Sequence, residues 1–67
     1  MIDFESLRKR CDTDPQLAVF LVRDTQEVED AGLTDLAWAL TQNYCHKNDA
    51  IGFLDLLEKS MNAKAQE

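Results

Sequence analysis

Apolar residues recur along this chain at helical spacing. Phe4, Leu7 and Cys11 fall at i, i+3 and i+7, forming one stripe of a short helix over 2–11 whose other side carries Arg8, Lys9 and Arg10. That helix ends near Cys11. In the following Asp12-Thr13-Asp14-Pro15, Thr13 or Asp14 offers an N-cap acceptor, and Pro15 suits a first helical turn, where its missing N–H has no intrahelical partner to lose. A second helix starts there. Its centre, Leu17 to Val22, is an unbroken apolar run with β-branched members that also fits a buried strand. The cap, Pro15 and a stripe continuing from Leu17 through Leu21 to Val28 favour helix, and no second strand-like run exists for pairing. Asp24 and Glu27 have the spacing of a capping box, so the helix either breaks near Asp24 and restarts before Gly32 or runs through.

Thr34 is placed to N-cap a third helix, with Leu33, Leu36, Ala37, Leu40 and Tyr44 at amphipathic spacing. Asn48 or Asp49 caps a fourth, in which Ala50, Phe53, Leu54, Leu57 and Met61 repeat the stripe and Ile51 and Leu56 widen it. Residues 62–67 have almost nothing to bury and are expected to fray, giving a helical domain over 1–62 and a C-terminal tail over 63–67. The pattern predicts an all-α fold: a small irregular antiparallel bundle of three to four short helices with connections of about 2 to 5 residues.

A chain of 67 residues holds one core, and 45% apolar and 30% charged residues with 2 Gly and 1 Pro exclude collagenous and disordered classes. At this size one core supplies about 3–5 kcal/mol. The two cysteines, Cys11 and Cys45, form at most one bridge and are expected as reduced, partly buried thiols. Self-association is the simplest supplement. The second and fourth helices, apolar over more than one side, are expected to be covered by a second copy in a homodimer or by another protein. The longest apolar run is far short of the roughly 20 residues a spanning helix needs, and no signal-peptide or lipidation pattern is visible, so a cytoplasmic protein without a membrane partner is expected.

The net charge is −6, and nearly all of it lies between residues 12 and 35. Such a field repels phosphates over a Debye length of about 8 Å, which argues against direct nucleic-acid binding. Asp24, Glu27, Glu29, Asp30 and Asp35 stand together without a basic residue, although like charges three or four apart destabilise a helix by a few tenths of a kcal/mol each. They constitute either a solubilising surface or an electronegative docking surface for a basic protein partner, whose strongest form is a mimic of the nucleic-acid backbone. Trp38 lies one position off the Leu36, Ala37, Leu40, Tyr44 stripe and so points to a flank of its helix, as a core corner or as an anchor for a partner.

Candidate chemistry is thin. Cys45, His46, Asp49 and a distant Cys11 are acceptable zinc ligands, but adjacent helical residues diverge by about 100° and there is no second Cys-x-x-Cys arm. The same divergence prevents His46 from activating Cys45 as a nucleophile. Asp12-Thr13-Asp14 begins like a calcium loop that Pro15 interrupts, and Leu36 to Leu40 lacks the turn and basic second helix of a helix-turn-helix. No catalytic residue, cofactor, metal or small-molecule substrate is expected. The expectation is a non-enzymatic protein–protein interaction module, an acidic adaptor, regulator or inhibitor that covers a partner surface, using Asp24, Glu27, Glu29, Asp30, Asp35 and Trp38. The alternatives are a structural homodimer with a solubilising acidic face and an acidic nucleic-acid mimic inhibiting a nucleic-acid-binding protein.

Overall fold

The computed structural model describes residues 2–65, which form a small irregular all-α bundle. Its five helices are α1 (Phe4–Arg10), α2 (Pro15–Arg23), α3 (Gln26–Asp30), α4 (Thr34–Gln42) and α5 (Lys47–Ala65). The apolar run 17–22 is helical. Asp3 caps α1, its Oδ1 accepting from the Ser6 N–H at 3.1 Å and its Oδ2 from the Ser6 hydroxyl at 2.8 Å. These donors hold the Asp3 carboxyl below the usual carboxylate range. Of the two acceptors the pattern offers, Asp14 caps α2, accepting from the Leu17 N–H at 3.1 Å, with Pro15 in the first turn as expected.

The helix count exceeds the expected three to four because the break after α2 is realised. Both the N–H and the hydroxyl of Thr25 donate to the Val22 carbonyl, at 3.1 and 2.7 Å, which closes the last turn of α2 while Thr25 itself turns extended. No capping box forms at Asp24, which is the C-cap of α2; α3 begins from Thr25. Gly32 then ends α3 at φ +71°, with Gly32 N–H to Glu29 O and Leu33 N–H to Val28 O bonds of 3.0 Å. This is a Schellman closure, and it explains why glycine stands there. Because the same turn sets Leu33 so that its carbonyl accepts from the Ala37 N–H at 2.9 Å, Leu33, and not Thr34, is the N-cap of α4.

Two other boundaries move. α4 ends at Gln42: Asn43 is extended, and its N–H and Nδ2 both return to the Ala39 carbonyl, at 3.1 and 3.0 Å. Tyr44 therefore leaves the predicted stripe and is 82% exposed. α5 begins at Lys47, before Asn48 and Asp49, since the Ala50 N–H already bonds to the His46 carbonyl. It continues through residues 62–65, into the expected tail, and Lys64 in its last turn lies 3.7 Å from Asp30 of α3. A cation there also suits the negative end of the helix dipole. Residues 66 and 67 of that tail lie outside the described residues.

α5 is the spine. Ala50, Phe53, Leu54 and Leu57 are buried along it, and it packs against each of the other four helices. Phe4, Leu7 and Cys11 reach it from α1 and its end, Ala18, Val19 and Val22 from α2, Val28 from α3 and Ala37 from α4. Leu36 belongs to the predicted stripe but is exposed, because the buried line of α4 runs through Ala37 with Leu33 and Leu40 half-buried. The radius of gyration, 11.0 Å, is that of a self-contained globule of this length. The buried residues form one core within the chain, yet Phe20, Leu21, Leu36, Trp38 and Leu56 remain at the surface.

Candidate interaction surface

The most extensive helix pairing, α2 with α4, carries an ordered cluster on its outer edge. The Arg23 guanidinium lies between two rings, 3.9 Å from the Trp38 centroid and 4.4 Å from that of Phe20. A planar guanidinium presents two faces to π clouds, a geometry that an ammonium lacks. Nη1 reaches the Thr41 hydroxyl at 3.3 Å and Nη2 the Asp24 carboxylate at 3.4 Å, while Nε is buried without a partner. The outer surfaces of both rings stay in solvent: Phe20 is 49% and Trp38 41% exposed, against 14% for the Arg23 side chain. Beside Phe20 a shallow groove of about 360 Å³ runs between α2 and α4, lined by Asp14, Gln16, Leu17 and Thr41, with the Gln16 amide bonded to the Thr41 carbonyl.

The acidic residues are distributed over three elements, the end of α2, α3 and the start of α4. Asp24 sits at the stack, and Asp35 lies three residues before Trp38 on α4, which makes them neighbours on the helix surface. Glu27 instead lines a cleft facing Arg10 and Leu7 of α1. Asp30 accepts from Gln26 Nε2 at 3.0 Å and pairs with Lys64, and Glu29 is exposed on α3. Helix starts account for much of this acidity: Asp14 caps α2, Glu27 and Glu29 occupy the first turn of α3, and Asp35 that of α4. Negative charge at those positions complements each helix dipole.

Phe20 and Arg23 escape a reading by periodicity alone, because Phe20 falls inside an apolar run that looks like core. Their i, i+3 spacing was the available signal. Arg8 escapes it too. Seen from sequence it belongs to a solvated basic triplet; in the structure it clamps α1 to α5, donating to Asp55 Oδ1 at 2.8 Å and Glu58 Oε1 at 2.6 Å. A surface hollow of about 850 Å³ beside α1 and α5 is lined by charges already paired with one another: Arg8 with Glu58, Lys9 with Glu5 and Lys47 with Asp12.

Cys11 and Cys45 are free thiols and fully buried, more deeply than the sequence suggests. His46 is exposed and meets the Tyr44 ring edge-on, with 4.8 Å between centroids. Among the described residues no group of three or more His, Cys, Asp or Glu side chains is placed to hold a metal ion, and no helix is long and apolar enough to cross a membrane. Burial, and next a nearby carboxylate (Asp12 for Cys11, Asp49 for Cys45), pushes both thiols above their ordinary range. An unfolded thiol ionises near pH 8.5. In the folded chain ionisation comes later, so the unfolded state loses protons first and stability is expected to fall as pH rises from there through the folded-state range. Urea midpoints followed between neutral pH and mild alkali should show this decline, and replacing both thiols by alanine should flatten it.

Comparison with protein-family models, curated proteins and solved structures finds no match, so function has to be argued from this chain's own residues.

Proposed function

We propose that this protein is a non-enzymatic protein-binding module whose contact surface is the outer edge of α2 and α4, centred on Phe20, Arg23 and Trp38. The observation that carries this is the stack itself: two large aromatic rings are packed against one guanidinium yet left nearly half in water. Exposed aromatics with fixed rotamers supply contact area at little entropic cost, and aromatic and Arg side chains dominate binding energy where proteins meet. The acidic segment contributes through Asp24 and Asp35, while Glu27 lines a separate cleft beside α1 and Asp30 pairs with Lys64. A backbone mimic needs its carboxylates in one file, and this dispersion of the acidic residues weighs against that alternative.

Benzoylphenylalanine incorporated at Phe20 in the native host should, on irradiation, yield a discrete adduct with another polypeptide, whereas the same group at Asn62 on α5 should not. Identical adducts at both positions, or none at Phe20, would overturn the proposal. An adduct with this chain alone would replace it by the structural homodimer.

A further inference from the structure

We infer that the occupant of the α2–α4 surface is a basic amphipathic helix of a different protein, which lays an apolar ridge over Phe20 and Trp38 and sets lysines or arginines against Asp24 and Asp35. This deepens the reading of the same surface given above and rests on it. Charge selects the partner. The cation of this surface, Arg23, is already engaged by Asp24, Thr41 and two rings, so Asp35 and the groove-lining Asp14 face outward with no ion pair among the described residues.

A second copy is a poor occupant. A two-fold contact sets this patch against the same patch of the other copy, where Asp24 and Asp35 would meet a surface that is itself acidic, and like charges across an interface disfavour a pairing by several kcal/mol. The alternative, docking the basic triplet of one copy on the acidic rim of the next, is head-to-tail and leads to a ring or an open filament, not a two-fold dimer. Arg8 of that triplet is moreover held by Asp55 and Glu58. The shape selects a helix: Phe20 lines an open groove between α2 and α4, and Trp38 lies beside it against the same guanidinium, the setting in which an amphipathic helix docks by its apolar side.

The test uses the whole chain and the fluorescence of Trp38, its single tryptophan. A synthetic peptide with leucine and lysine at helical spacing is titrated in, with a leucine–glutamate peptide of the same pattern as control. The lysine peptide should shift Trp38 emission and saturate, and added salt should weaken it; the glutamate peptide should leave the emission unchanged. Asp24→Asn combined with Asp35→Asn should weaken the lysine peptide about tenfold, near 1.4 kcal/mol. Glu5→Gln with Asp49→Asn, equal in charge but on α1 and α5, should weaken it less than about twofold. Circular dichroism checks that each variant stays helical. Equal weakening by both double variants means attraction to net charge alone and overturns the inference. If Phe20→Ala abolishes binding of both peptides while the charge variants change nothing, the protein-binding surface stands and the basic helix does not. A dimer in the ultracentrifuge that Phe20→Asp dissociates overturns it in favour of a second copy.

Discussion

Phe53→Ala is expected to leave the chain largely unfolded at room temperature. Phe53 is 1% exposed at the middle of α5, the helix that contacts all the others, and truncating a buried phenylalanine costs about 3–5 kcal/mol in lost transfer energy and residual cavity. A core of this size supplies about the same amount in total. No disulfide adds to it, since Cys11 and Cys45 are both free. Circular dichroism at 222 nm should therefore show most of the helical signal gone, with no cooperative melt remaining. Tyr44→Ala, at the most exposed aromatic, is the control and should change stability by less than about 0.5 kcal/mol. A Phe53→Ala protein that melts cooperatively within a few degrees of the parent would mean that α5 is not the spine.

The second large effect concerns Arg23, where several contributions of opposite sign meet. Arg23→Ala removes contacts with two rings, each cation–π contact being worth about 0.5–2 kcal/mol, together with the bond to Thr41 and the packing of the alkyl stem. It also relieves the partnerless buried Nε, a penalty of about 1–3 kcal/mol. The net expectation is a loss of about 1–3 kcal/mol, or a fall of roughly 4–8 °C in Tm per kcal/mol for a domain of this size. Arg23→Met keeps a polarizable slab between the rings without the stranded donor and should stay within about 1 kcal/mol of the parent. Arg23→Lys should fall between them, because an ammonium cannot stack on two faces at once. Urea denaturation orders the three. A lysine variant as stable as the parent would show that positive charge, and not the planar stack, holds the rings.

Particular residues show how much was readable beforehand. The caps at Asp14 and Gly32 act locally, through the backbone two to five residues away, so their positions in sequence suffice to predict them. The stripe from Ala50 to Leu57 is equally plain, because a helix buried on several sides must be apolar on several sides. Thr34 and Tyr44 misled for a common reason. Each has the right spacing for a role that a neighbouring turn had already taken, Leu33 by sharing the closure of α3 and Asn43 by ending α4. For the candidate surface, Trp38, Asp24 and Asp35 were legible as exposed or flanking positions, whereas Phe20 and Arg23 were not.

Local chemistry thus determines that this chain is helical, that α2 starts at Pro15 and α3 stops before Gly32, and which residues of α5 go inside, since caps, glycine and periodicity work over one or two turns. Which apolar side chains are left over, and which charges meet, depends on distances between elements far apart in sequence. Tertiary packing alone decided that Arg8 ties α1 to α5, that Asp30 meets Lys64, and that Arg23 stands between Phe20 and Trp38 at the edge of α2 and α4. A stripe at helical spacing fixes the direction of a side chain relative to its own helix axis, but not what stands opposite it.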